Sequence, residues 1–282
     1  MGAYPRLVKS NAPNAKKRFG QHFLRDTGVI ERIVRWIQPA PGDIFLEIGA
    51  GDGSLSRHLA PRVARYLAVE IDSDCIPQLE GTLRPFQSAA VIAGDFLQMD
   101  LSDLAAQRLS PGQRLRVAGN LPYNIATAII EKLLHHSSYV VDMFFMVQLE
   151  VAQRIGATPG SRQYGYLSVH CQHHATVQVG FKVSPACFVP RPKVWSSMIS
   201  LTPKRPELDQ VCEPDFEAIA KAAFSYRRKT LTNSLVRHPV FGKVAPSLLD
   251  LAGIDGSRRA EELSVLQYEL LARLYHNEFS NA

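Results

Sequence analysis

The segment that most limits the folds open to this chain is DIFLEIGAGDGSL, residues 43–55, where a short apolar run meets glycines at 49, 51 and 53 and then a helical pattern. A continuous apolar run of that length suits a strand buried on both faces, and glycines directly after it allow a tight reversal into a helix. Further runs repeat the arrangement: YLAVEID at 66–72, AAVIAGDF at 89–96, RLRVAGN at 114–120 and VVDMFFMVQ at 140–148. Helical spacing accompanies them, as with Ile30, Ile33, Val34 and Ile37, and again from about 74 to 83. Strands alternating with helices predict right-handed crossovers and a mainly parallel, Rossmann-like α/β sheet covered on both faces.

Beyond residue 175 the pattern changes. Val177, Val179, Phe181 and Val183 alternate with polar or small residues, as in a half-exposed strand, and WSSMISLTP at 195–203 is expected to return beside it as an antiparallel edge. From Pro203 to Pro214 the chain reads as a polar linker, after which FEAIAKAAF, LTNSLV, VAPSLLDLAG and SVLQYELLARLYH are helical. The expected organisation is a mobile basic tail over 1–15, an α/β domain over 16–207 and a small all-helical domain over 208–282. A hydrophobic content of 46% with 21% charged residues is enough to bury a core and excludes a disordered chain.

The net charge of +6 favours an acidic partner such as nucleic acid or anionic lipid. No apolar run reaches membrane-spanning length, the basic start has no apolar core of a signal peptide, and Arg6 stands where myristoylation needs Ser or Thr. Four dispersed cysteines without Cys-x-x-Cys spacing fit reduced thiols, so a cytoplasmic protein is expected. The stretch CQHH (Cys171, His173, His174) has zinc-ligand residue types but no second ligand pair at suitable spacing. Packed cysteine and ordinary exposed histidines are the expected reading, and no metal is expected.

Open parallel sheets bind ligands at the carboxyl ends of their strands, and there the chain places its distinctive residues. Gly49 and Gly51 let backbone approach a ligand; Glu70, closing the next strand, is suited to accept hydrogen bonds from a ribose; Asp95, closing the third, is suited to accept from an adenine amino group beside Phe96. The glycine spacing is not that of dinucleotide binding, whose third glycine would fall at Ser54, and no Gly-Lys-Ser/Thr phosphate loop occurs. Glu47, just before the loop, suits a cationic sulfonium better than a pyrophosphate, which points toward S-adenosylmethionine. At the end of the fourth strand the apolar run breaks into Asn120-Leu121-Pro122-Tyr123, either a plain turn or a substrate site offering an amide, a stiff backbone and a flat ring.

Taken in order, RFGQHFL, LEIGAGDGSLS, VEID, GDF, GNLPYNI and SYRRKTLTNSL resemble the small-subunit ribosomal RNA adenine dimethyltransferases, the kasugamycin-sensitivity family, over roughly residues 16–276. That resemblance implies a class I methyltransferase fold with a C-terminal helical domain. It also implies S-adenosylmethionine as donor and conversion of two adjacent adenines near the 3′ end of that RNA to N6,N6-dimethyladenosine. Carried over by position, His22, Leu24, Gly49, Gly51, Glu70, Asp95 and Asn120 hold the cofactor, and Asn120, Leu121, Pro122 and Tyr123 form the methyl-acceptor site. His22 stands where many relatives have Asn. Phe188, in ACFVPRPKV, is expected to face Tyr123 across the adenine.

RNA would lie along Lys16, Lys17 and Arg18, along Arg227, Arg228 and Lys229, and along Arg258 and Arg259. The implied partner is small-subunit ribosomal RNA, within a partly assembled subunit, bound by a monomer and with no membrane. Two rival readings remain: a large-subunit RNA adenine methyltransferase of the resistance type, which shares the Asn-Leu-Pro-Tyr logic, and a noncatalytic nucleic-acid-binding relative. SYRRKTLTNSL and the long helical tail favour the small-subunit reading.

Overall fold

The computed structural model describes residues 21–204, 208, 212–226 and 228–280. The basic tail expected over 1–15 lies outside them, as do Lys16, Lys17, Arg18 and Arg227. The described residues fall into two compact units: one runs to Ala152 and resumes over 178–203, the other comprises 153–177 and the chain from Lys204 onward.

The first unit opens with β1 (Phe23–Leu24) and α1 (Thr27–Ile37). The side chain of Asp26 caps α1 by accepting from the Val29 N–H, and Ile30, Ile33, Val34 and Ile37 form its buried face. Five strands follow: β2 (Ile44–Ile48), β3 (Arg65–Glu70), β4 (Ala89–Ala93), β5 (Leu115–Asn120) and β6 (Val140–Gln148). Between them stand α2 (Ser56–Leu59), α3 (Ile76–Leu83), α4 (Leu101–Arg108) and α5 (Ala126–His135). After α6 (Leu149–Ile155) and α7 (Tyr166–His174) come β7 (Ala175–Val183), β8 (Phe188–Val189) and β9 (Ser196–Pro203).

The main sheet has the order β4-β3-β2-β5-β6-β9-β7. Its β2–β3, β2–β5, β3–β4 and β5–β6 pairings are parallel. Phe45, Leu46, Tyr66, Val117 and Phe145 are almost wholly buried, as expected of strands covered on both faces. Arg116 on β5 ties the base of this sheet together, reaching Asp142 on β6 at 2.9 Å and Asp43 ahead of β2 at 2.6 Å.

Two sequence expectations change at the far end. β9 is not the edge: it lies between β6, with which it pairs antiparallel, and β7, which takes the outer position. Its run SSMISL is buried throughout, whereas β7 is largely exposed, so burial on both faces decides which strand is inner. The expected boundary near 207 also shifts, because 153–177 groups with the C-terminal helices. Ala157, Tyr164 and Val169 share a core with Phe216, Ile219, Leu235, Leu248, Tyr268 and Leu271. No apolar period marks α7, since Ser168, His170 and His173 lie among its buried positions.

The helices of that second unit are α8 (Glu213–Phe224), α9 (Leu231–Leu235), α10 (Ala245–Leu251) and α11 (Val265–Phe279). Ser264 opens α11 with a capping box completed by Gln267. No helix among the described residues is long and apolar enough to cross a membrane.

Candidate active site

A pocket opens at the carboxyl ends of β2, β3 and β5, and its walls include His22, Leu24, Gly49, Gly51, Glu70, Asp95, Asn120, Leu121, Pro122 and Tyr123. Of the described catalytic and cofactor candidates, all but Phe188 therefore meet around one cavity.

The glycine loop forms its floor. Gly49, Gly51 and Gly53 all have positive φ, at 68°, 57° and 81°, a region that disfavours side chains. At Gly51 there is a second reason: a Cβ would come within 3.0 Å of the Phe23 ring. The Gly51 N–H donates to Glu70 Oε2 at 2.6 Å and the Asp72 N–H to Oε1 at 2.8 Å, so the β3 carboxylate is held at the pocket wall by backbone. Burial raises the Glu70 pKa, opposed by those backbone donors. Asp95 caps the 3-10 turn that follows β4 by accepting from the Leu97 N–H at 2.9 Å, and buried Phe96 lies beside it in the wall.

Glu47 behaves differently from the sequence expectation of a plain negative neighbour. Its Oε2 accepts from Tyr66 Oη at 2.5 Å and from Ser56 Oγ, and burial pushes its pKa up to about 7. Near neutral pH its charge is therefore only partial.

The Asn-Leu-Pro-Tyr segment leaves β5 and turns into α5. Asn120 Nδ2 donates to the His22 carbonyl at 2.7 Å, which fixes the amide and leaves Oδ1 as its acceptor face. Leu121 is buried and donates its N–H to the Met146 carbonyl at 3.1 Å. Tyr123 Oη lies 2.7 Å from Ser196 Oγ on β9, and its ring is tilted by 30° to His22 with centroids 5.5 Å apart. Burial raises the Tyr123 pKa, partly offset by the Ser196 contact, so the phenol is neutral at physiological pH. His22 Nδ1 lies 2.7 Å from the Pro190 carbonyl; since a carbonyl only accepts, that nitrogen carries the proton.

Phe188 is buried and is not among the residues that line the pocket. Its backbone pairs with Leu24 in the β1–β8 ribbon, the residue is 2% exposed, and it shares a core with Leu24, Val183 and Met198, of which Leu24 and Met198 also line the pocket.

Sequence reasoning also missed two contributors. Arg25 pairs with Asp52 and lies 3.3 Å from Ser54 Oγ, tying the segment after β1 to the glycine loop. Ser196 anchors the Tyr123 hydroxyl across 73 residues of chain. Neither pairing has a local signal, because each depends on which strands become neighbours.

In the second unit, backbone bonds join the segment that follows Arg228 and Lys229 to the one that carries Arg258, Leu231 N–H donating to the Arg258 carbonyl at 2.7 Å and Thr232 N–H to the Gly256 carbonyl at 3.1 Å. Arg228 and Lys229 are exposed.

A family model described as ribosomal RNA adenine dimethylase matches residues 12–277. The chain belongs to that family. A relative in Chromohalobacter salexigens, named ribosomal RNA small subunit methyltransferase A, is 43% identical over 265 residues, covering 93% of this chain and 92% of its own length. Among solved structures, a dimethyladenosine transferase from Plasmodium falciparum superposes with a TM-score of 0.74 at 23% identity, covering 90% of this chain and 97% of that one. The 23S rRNA methyltransferase ErmE follows with a TM-score of 0.67 at 26% identity, covering 89% and 98%. The α/β unit of this ribosomal RNA adenine dimethylase family member thus has the class I methyltransferase fold.

Proposed function

We propose that this protein uses S-adenosylmethionine to dimethylate the N6 amino groups of two adjacent adenosines near the 3′ end of small-subunit ribosomal RNA. It acts on a partly assembled subunit, as a monomer in the cytoplasm. The observation that carries the cofactor reading is the composition of the pocket wall: among the described residues it includes Glu70 and Asp95 and neither Lys nor Arg, with Asp52 paired to Arg25 and Glu47 only partly ionised. Such a wall suits a cationic donor and opposes a pyrophosphate.

Gly49 and Gly51 would give the donor close backbone approach, Glu70 its ribose hydroxyls, Asp95 its adenine amino group, and His22 and Leu24 its flank. When bound, the donor supplies an electrophilic methyl group on sulfur. Adenine N6 is a weak nucleophile because its lone pair is delocalised into the ring. Asn120 Oδ1 and the Leu121 carbonyl accept hydrogen bonds from its amino protons, which favours a pyramidal nitrogen with the lone pair directed outward. Pro122 restricts both its own backbone and that of Leu121, holding the carbonyl's direction. Tyr123 stacks on a base drawn out of its helix, its tilt fixed by Ser196 and His22. Orientation does most of the work, and no strong general base is needed, since the proton leaves once methylation has made the nitrogen acidic.

Arg228 and Lys229 are read as phosphate contacts, with Lys16, Lys17, Arg18 and Arg227 assigned the same role from sequence. The small-subunit target is favoured over the large-subunit one by the name of the 43% identical relative and its near full-length coverage.

Asn120→Ala tests the reading. Methyl transfer from radiolabelled donor to undermethylated small subunits is expected to fall by at least about a hundredfold, with RNA affinity nearly unchanged. Transfer at the wild-type rate would remove the mechanism, and methyl groups mapped by mass to a different RNA would remove the substrate.

A further inference from the structure

The CQHH stretch lacks a second ligand pair in sequence, and the fold supplies a ligand from elsewhere. His173 and His174 end α7, and Glu213, 40 residues beyond His173, begins α8 in the same unit. Contrary to the expectation of ordinary exposed histidines, His173 is fully buried. Its Nδ1 lies 2.7 Å from Glu269 Oε1 on α11, and its Nε2 lies 2.9 Å from Glu213 Oε1. His174 Nε2 is 3.9 Å from the other carboxylate oxygen, Glu213 Oε2. One ligand atom each from His173, His174 and Glu213 falls within 4.8 Å of the others.

Two carboxylates facing one imidazole leave a net negative charge even when the ring is protonated. A divalent cation in place of the proton between His173 and Glu213 cancels it, which matters where burial makes charge costly. The spacing agrees: ligand atoms about 2.0–2.2 Å from a tetrahedral zinc ion lie roughly 3.3 Å apart, between the two separations found here. Glu269 supplies what a metal-bound histidine ordinarily has, a carboxylate accepting from its outer ring nitrogen.

We propose that His173 Nε2, His174 Nε2 and the Glu213 carboxylate bind one divalent transition-metal ion of the zinc class, with Glu269 orienting His173 and water completing the shell. The ion pins the end of α7 to the start of α8 within the second unit. Its role is structural and separate from the methyl-transfer pocket.

Full-length protein stripped with a chelator and then freed of it is titrated with zinc chloride against a chromophoric competitor. The expected result is one tight equivalent per chain, with a Tm that rises on zinc addition and falls back with EDTA. His174→Gln and Glu213→Gln should each weaken binding by about tenfold or more, the scale seen when a metal site loses a supporting group. Cobalt in place of zinc should show the visible bands of a tetrahedral nitrogen–oxygen site in wild type and lose them in both variants. His174→Gln leaves both hydrogen bonds of His173 intact, so circular dichroism should match wild type and a loss of metal is not a loss of fold. Absence of a stoichiometric equivalent in wild type overturns the proposal, as does affinity that survives either substitution undiminished. The histidine would then be a protonated bridge between two acids.

Discussion

Glu47 sits in an environment that its sequence context does not show. A folded-state pKa of about 7 against an ordinary value of 4.5 means that the fold favours the protonated acid. That contribution is fully present below pH 4.5 and is lost as pH rises through about 7, over a span of about 3 kcal/mol. Gln at this position keeps an oxygen for Ser56 and Tyr66 but cannot ionise. Relative to wild type, Glu47→Gln is therefore expected to gain about 3 kcal/mol of stability between pH 4.5 and pH 8, read from urea unfolding at a series of pH values. A difference that stays constant with pH would show that Glu47 titrates as an ordinary carboxylate. The sequence marked this position as acidic and beside the loop; it held no trace of Tyr66, 19 residues away, which becomes its partner only when β2 and β3 pair.

Among elements, the parallel strands and their glycine loop were legible because buried strands are apolar without interruption and break at their functional ends. Glu70, Asp95 and Asn120 could be placed from that alone. Phe188 could not: a two-residue strand has no period, so an aromatic residue between prolines looked the same whether it faced a ligand or the core. The placement of β9 was equally hidden, since SSMISL reads as neither a polar edge nor a plain apolar run. Arg116 is the sharpest test of how the strands are locked. Its guanidinium bridges Asp43 and Asp142, and all three side chains are largely buried. Arg116→Met should cost about 3 kcal/mol by chemical denaturation, because two carboxylates lose their counter-charge, and Asp142→Asn should cost less. Equal, negligible losses would mark the cluster as a weak surface pair.

At the scale of the molecule, 153–177 belongs with helices that follow it by some forty residues or more, although it sits between strands of the sheet. Its Tyr164 and Val169 are buried against that later core. A chain ending at residue 203 should keep slow amide exchange in β2, β3 and β5 while 153–177 exchanges quickly and exposes apolar surface that binds a hydrophobic dye. Protection of 153–177 in that shortened chain would show that it folds with the sheet after all.

The ribbon that pairs Phe23 with Val189 and Leu24 with Phe188 joins the two ends of the first unit's sequence. Residues 21–24 wall the pocket, yet what clasps them is made 165 residues after Leu24. During translation, a nascent polypeptide halted before that point would own a glycine loop but no closed chamber around it. New copies should then pass most of their synthesis unable to retain a methyl donor, gaining that capacity in one late step rather than by degrees.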